Sequence, residues 1–249
     1  MPFTFSHPSI LIPLFYLPKR WISITGLVIG SMIPDFEYFL RMQIMSKYSH
    51  SIYGVFWFDL TLSILLAFIF HNIVKNQLID NLPKSLYLRL ASFKNFDWNN
   101  YFRKNWYIVI ISILIGTFSH IFWDSFTHYN GYFVQRNLSL LNTLMIFKLD
   151  IPIFKIIQHA STIIGGILII YLGIKLPKKS VEYKKPNINY WLVFTLISLL
   201  IISIRIIFGL NPKQYGNLIV TAISSGLISL IITPLIIRKN KNINHQINI

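Results

Sequence analysis

His120, Asp124 and His128 recur at intervals of four in SHIFWDSFTH (residues 119–128), which closes an apolar run that starts at Trp106. Four residues rise about 6 Å and turn by roughly 40° on an α-helix, so neighbours in the series share a face and two can hold one ion. Imidazole and carboxylate donors without sulfur suit a hard or borderline divalent cation, zinc first, with manganese or iron as alternatives. An ion of this kind polarises a water molecule and yields a nucleophile near neutral pH. His120 and His128 are about 12 Å apart along an unbroken axis, which strains a single ion. Three arrangements relieve the strain. The helix unwinds near Thr127 ahead of Asn130-Gly131, or Asp124 bridges two ions, or His128 serves the substrate or orients a ligand.

Other ionisable residues fall in or beside apolar stretches, where each costs several kcal/mol, of order 3, unless it is paired, hydrated or bound to an ion. Asp35 and Glu37 follow Pro34 in GSMIPDFEYF and are candidates for a ligand or a general base. His50 in YSHSIYG, His159 in KIIQHAS and His7 near the N-terminus are further metal-ligand candidates, and Asp59 is placed to orient a ligand histidine. His71 and His245 read as ordinary surface histidines. The competing reading of the whole set is a polar network that staples helices together.

The elements that must position these residues are membrane helices. The 249 residues are 54% hydrophobic and only 12% charged, with a mean hydropathy of +0.56. Soluble domains carry about twice that share of charge, which excludes an ordinary soluble fold. Spans are expected at 21–40, 52–74, 106–128, 153–174, 190–209 and 215–237, each near the length that crosses hydrocarbon. Residues 3–17 contain Pro8 and Pro13 and read as a short broken or re-entrant element. The polar, aromatic segment 79–104 reads as an amphipathic surface element against an anionic leaflet. The expected fold is therefore all-α: a polytopic helical bundle forming one integral membrane domain over residues 1–249, with the polar site in 1–175 and two additional spans in 186–249.

A net charge of +15 raises the question of nucleic acid, but the basic residues sit in short loops and not along one aromatic-interleaved face. No nucleic-acid partner is expected, and membrane lipid is. Most of the 23 lysines and arginines fall in the N-terminal turn, residues 75–104, residues 175–185 and the tail. The positive-inside rule makes that side cytoplasmic, with the C-terminus inside a cell membrane and the His/Asp candidates toward the outer leaflet. Lys19 and Arg20 follow the first apolar stretch, which speaks against a cleaved signal peptide. Cysteine is absent, so no disulfide framework or thiolate site exists.

The blocks MPFTFSHPSILIPL, TGLVIGSMIPDFEYFLRM, SHSIYGVFWFDL, IGTFSHIFWDSFTH and IFKIIQHAS together resemble the bacterial membrane family catalogued as domain of unknown function 4184, over roughly residues 1–175. A looser similarity is to membrane-bound metal-dependent hydrolases, which pair an early histidine, a PD-type turn and an H-x-x-x-D block. By position, that similarity implies His7, Asp35, His50, His120 and Asp124 as ligands. It has no counterpart for Glu37, His128 and His159.

Together these features point to a divalent-metal hydrolase acting on an ester or phosphoester of an amphiphilic or lipid-linked substrate near the outer leaflet. His120 and Asp124 would be the primary ligands, with His7, His50, His128 and His159 completing the shells and Asp35 or Glu37 as ligand or base. The rival readings are an ion-coupled transporter that uses the same residues as a relay and a non-catalytic membrane scaffold.

Overall fold

The computed structural model describes residues 3–247 apart from Pro212, with side chains described as far as Ile237. Its order is almost wholly helical. Among the described residues, five helices are long and apolar enough to cross a membrane: Ile52–Asp80, Trp98–Arg136, Ile153–Lys175, Ile188–Ile207 and Tyr215–Ile237. Isoleucine and leucine dominate these runs, and a helix satisfies every interior backbone group within the segment, as hydrocarbon requires. Large apolar side chains such as Ile163, Ile167, Ile170, Leu196 and Leu200 stay exposed. Contiguous apolar surface of this kind marks a chain surrounded by lipid. The protein is an all-α membrane protein, as the hydropathy pattern predicts.

The expected span at 21–40 is helical but broken. Ser23 caps the helix Ile24–Met32 by accepting a hydrogen bond from the Gly26 amide at 3.2 Å. A 3-10 turn, Ile33–Asp35, follows, and a second short helix runs over Phe36–Arg41. Pro34 lacks an amide proton and its ring crowds the preceding turn, which accounts for the interruption. The element at 3–17 is a 3-10 helix, Thr4–Tyr16, with both prolines inside it. Thirteen residues at a rise of about 2 Å reach roughly 26 Å, further than the same residues would in an α-helix. Among the described residues the strands are confined to one hairpin, Thr143–Ile146 against Leu149–Pro152. Phe147 and Lys148 turn it with φ of 49° and 66°, the left-handed pair that matches strand twist in two-residue loops.

The chain divides into two compact units that interleave in sequence. One comprises Met1–Asp35, Lys47–Ile64 and Phe102–Lys175, and the other Phe36–Ser46, Leu65–Tyr101 and Leu176–Ile249. In the first unit, the Ile24–Met32 helix lies directly on the Trp98–Thr127 helix. A Cβ at Gly30 would stand 2.3 Å from the Ile113 carbonyl, and one at Gly116 2.5 Å from the Leu27 carbonyl. Two backbones in contact over small residues are the usual basis of helix association in lipid, where no hydrophobic force drives it. The Ser23 amide donates to Ser112 Oγ at 2.8 Å and ties the same crossing.

The 3-10 helix packs on the Ile153–Lys175 helix by a similar device. Gly165 lets Ser6 and Ser9 approach, Ser6 Oγ donates to the Thr162 carbonyl at 3.0 Å, and the Phe3 amide donates to Thr162 Oγ1 at 3.0 Å. Leu11, Ile22 and Leu27 form a small apolar core beneath it.

In the second unit, the helices Ile188–Ile207 and Tyr215–Ile247 pair, with Ser198 donating to Ser229 at 2.9 Å. Ser224 donates to the Phe39 carbonyl at 2.8 Å. Residues 79–104 form the helix Lys84–Leu90, the 3-10 turn Ala91–Asn95 and the start of the next helix, with an ion pair between Lys94 and Asp80. His71 departs from the surface reading: it is half-buried and stacked on Trp98 at 4.6 Å with the rings 3° from parallel. The side chain of His245 lies outside the described residues.

Candidate metal centre

Four segments of the first unit deliver side chains to a common point: the N-terminal 3-10 helix, the turn at Asp35, the loop at His50 and the long helix with His120 and Asp124. The crossing at Gly30 and Gly116 fixes Ser31 against the next turn of the long helix. There the Ser31 carbonyl accepts a hydrogen bond from His120 Nδ1 at 2.7 Å. That bond settles the tautomer and leaves Nε2 with its lone pair directed inward, the usual arrangement behind a metal-binding histidine. The 3-10 turn after Pro34 carries Asp35, whose Oδ2 accepts from Thr4 Oγ1 at 2.6 Å. Thr4 and His7 lie three residues apart on the N-terminal helix, about one 3-10 turn, so one segment supplies both a brace and an imidazole. His50 sits just before Ser51, which caps the following helix through Gly54 at 3.0 Å, and its Nδ1 lies 3.1 Å from Ser49 Oγ.

Inward-facing atoms of Asp35, His50, His120 and Asp124 all lie within 4.8 Å of one another. His120 Nε2 is 3.3 Å from Asp124 Oδ2 and 3.6 Å from Asp35 Oδ1, and His50 Nε2 is 3.7 Å from Asp124 Oδ2. On the other side of the same carboxylate, Asp124 Oδ1 is 3.6 Å from His7 Nε2 and 3.5 Å from His128 Nδ1. The His7 ring also stacks on His120 at 3.8 Å. Asp35 and His120 are fully buried, and His7 and Asp124 are 4% and 6% exposed.

These spacings separate two kinds of polar cluster. Hydrogen bonds between nitrogen and oxygen close to about 2.7–3.2 Å, and none of the five pairs does so. Ligands about 2.0–2.1 Å from a tetrahedral ion stand roughly 3.3 Å apart, and these pairs run from 3.3 to 3.7 Å. Asp35 Oδ1, His120 Nε2, both oxygens of Asp124 and both nitrogens of His7 are buried without a hydrogen-bond partner. Buried polar atoms in that state are costly, and two carboxylates among imidazoles are the donors a divalent cation would satisfy. The residues present therefore fit such an ion.

Not every residue singled out in the sequence joins. His128 follows the helix end at Thr127, and its Nδ1 donates to the Asp124 backbone carbonyl at 3.1 Å, so it stands beside the four-residue set and not in it. His159 is exposed, and its buried neighbour is Gln158. Glu37 belongs to the other unit, where Arg41 Nη2 approaches Oε1 at 2.7 Å and Ser46 donates to Oε2 at 3.2 Å. The adjacent acids of PDFEYF thus divide between the cluster and a structural ion pair. Asp59 is buried in the π-helical turn Val55–Asp59. The supporting roles of Thr4 and Ser31 have no sequence signal, because both act across elements and Ser31 acts through a backbone carbonyl. The small-residue spacings Gly26-x-x-x-Gly30 and Ser112-x-x-x-Gly116 could have announced the crossing that positions them.

A cavity of about 370 Å³ adjoins the cluster. His7 forms part of its wall with Ser6, Ser9, Trp123, Ile157 and Ile164, so one imidazole belongs to both.

Comparison with curated proteins and with solved structures gives no match. A family model, by contrast, matches residues 1–235, well past the 1–175 of the motif blocks and across both of the last two long helices. The chain belongs to the family described as domain of unknown function DUF4184.

Proposed function

We propose that this protein is a membrane-embedded hydrolase that uses a divalent cation to cleave an ester or phosphoester of an amphiphilic, lipid-linked substrate. The observation that carries the reading is the buried, unbonded atoms of Asp35 Oδ1, His120 Nε2 and Asp124 at ligand-to-ligand spacing, with a half-buried His50 beside them. Zinc fits the donors best, with manganese and iron next. When bound, the cation polarises the scissile ester oxygen and raises the acidity of the attacking water.

The chain's own residues set the stage for that reaction. His120 is locked by Ser31, and Asp35 by Thr4, so neither must reorganise when substrate arrives. Asp35 presents only Oδ1 inward and would serve there as a monodentate ligand, oriented by Thr4 on Oδ2. Glu37, held by Arg41 and Ser46, has no part in this scheme. The cavity beside His7 supports an amphiphilic substrate. Its volume falls in the range of small-molecule sites, about 300–1,000 Å³, and its wall is mainly apolar with serines near the cluster.

Detergent-purified protein loaded with zinc or manganese should release 4-nitrophenol from long-chain 4-nitrophenyl esters or phosphoesters, and Asp124→Ala should not. Full metal occupancy without turnover of any member of such a series would remove the hydrolase reading. Metal-dependent ion flux in liposomes under the same conditions would put a transporter in its place.

A further inference from the structure

Residues opposite one another in an antiparallel pair share a face. Leu144 stands opposite Ile151 and Ile146 opposite Leu149, so one side of the hairpin carries four aliphatic side chains. The other side is mixed, with Thr143 and Asp150 beside Met145 and Pro152. Phe147 projects from the turn, 96% exposed, and Leu149 is 63% exposed. An isolated two-stranded sheet is marginal at best in water, so the aliphatic face of this one calls for a cover.

Its attachment to the membrane helices identifies the cover. The Ile153 amide donates to the Asn142 carbonyl at 2.9 Å, which closes the hairpin on the first residue of the helix Ile153–Lys175. That helix has 23 residues, roughly 34 Å at 1.5 Å each, against about 30 Å of hydrocarbon. Its first residue therefore lies close to the boundary between acyl chains and headgroups. The preceding long helix closes at the same level, with the Tyr129 and Phe154 rings 6.3 Å apart. Tyr129 and Tyr132 are exposed there, and the Arg136 guanidinium lies 3.7 Å from the centre of the Tyr132 ring. Exposed tyrosines are typical of the headgroup level. Residues 129–155 hold three cations, Arg136, Lys148 and Lys155, and one acid, Asp150. That balance complements lipid phosphates.

We infer that the hairpin is an interfacial anchor, laid along the membrane surface with Leu144, Ile146, Leu149 and Ile151 turned into the acyl boundary. Phe147 leads into the lipid, and Lys148 beside it meets the phosphates. Amphipathic helices bind membrane surfaces on the same terms, apolar face to the hydrocarbon and basic residues to the headgroups. A face held at that boundary meets lipid without any association step, which favours lipid over a second copy of the chain. The inference stands apart from the metal reading. Its consequence for the cluster is depth. Asp124 lies three residues before the helix end at Thr127, about 4.5 Å of rise. An anchor at this end holds the cluster just beneath the headgroups.

The chain contains no cysteine, so a single nitroxide label can be placed at each position in turn. Phe147→Cys, Leu149→Cys, Thr143→Cys and Asp150→Cys all fall at exposed positions, where a label displaces little. Each full-length variant is labelled and reconstituted in nanodiscs of phosphatidylcholine with phosphatidylglycerol. Power-saturation electron paramagnetic resonance then compares collisions with oxygen, which concentrates in hydrocarbon, and with a water-soluble nickel chelate. The oxygen-to-nickel ratio should be several-fold higher at positions 147 and 149 than at 143 and 150. Nickel reaching all four alike overturns the inference, because the hairpin then stands in water. Exclusion of both reagents from 147 and 149 overturns it as well, since a second copy or another protein then covers that face. Oxygen dominance at all four removes the two-faced placement.

Discussion

Asp35 and Glu37 stand two positions apart and both are buried, yet they meet the cost of a buried carboxylate in opposite ways. Glu37 finds its counter-charge one helical turn on, in Arg41 at 2.7 Å, and Ser46 donates to its other oxygen at 3.2 Å. Asp35 has Thr4 on Oδ2 alone, and its Oδ1 faces His120 at 3.6 Å, too far for a hydrogen bond. The first carboxylate is compensated by the chain itself whatever else is present. The second, with Asp124, sits among imidazoles in a geometry that a divalent ion would complete. Burial alone does not mark a functional carboxylate. The spacing of its neighbours does: hydrogen-bond length around Glu37, ligand-to-ligand length around Asp35.

The contrast breaks most sharply on metal content. Asp124→Ala should abolish divalent-metal binding, because it removes the carboxylate that four histidines share, while Glu37→Gln should bind as the wild type does. Elemental analysis of both variants decides it, and equal loss in the two would erase the distinction between the regions. Stability should separate them in the reverse sense. Saturating zinc should raise the thermal midpoint of the wild type and not of Asp124→Ala, since a ligand stabilises only the fold that binds it.

Gly116→Leu comes next. A Cβ there already meets the Leu27 carbonyl at 2.5 Å, so the helices must part, at about 1–3 kcal/mol or more. Parting them also withdraws the Ser31 carbonyl from His120, so metal affinity should fall along with stability. Glu37→Gln should cost about 1–3 kcal/mol, less than the roughly 3–5 of a fully enclosed pair, because the Arg41 side chain is 28% exposed. Its metal affinity should stay put. Calorimetry in detergent with parallel zinc titration reads both quantities for both variants.

The sequence made the membrane class and the long helices plain, because hydropathy is a local property that lipid enforces residue by residue. It also marked His120, Asp124, Asp35, His50 and His7, because an ionisable residue in an apolar run is expensive wherever it falls. What it lacked was direction. His159 has the same type and setting as His50 but faces outward, and nothing local distinguishes the two. Glu37 reads like Asp35 until the break at Pro34 sends one carboxylate to each unit. The hairpin at 143–152 went unread because eight residues of mixed type carry too little alternation to reveal paired strands. His71 reads as a surface residue from sequence because its partner, Trp98, lies far along the chain.

The smallest effect sharpens the comparison most finely. Thr4→Val keeps the shape of the side chain and deletes the one hydrogen bond that Asp35 receives on Oδ2. If Asp35 were a structural acid like Glu37, losing a neutral hydroxyl donor would appear mainly as instability, about 1 kcal/mol. If Asp35 is a ligand, that hydroxyl orients it, and loss of such a brace weakens metal affinity by about 10–100-fold. The ratio of the two effects is therefore diagnostic. We expect a zinc affinity lower by about tenfold, with a metal-free thermal midpoint close to that of the wild type. His159→Ala, whose exposed imidazole lies outside the ligand set, fixes the baseline at no change in either quantity. A Thr4→Val protein that loses stability and keeps its zinc affinity would move Asp35 to the side of Glu37 and leave the ion to Asp124 and the histidines.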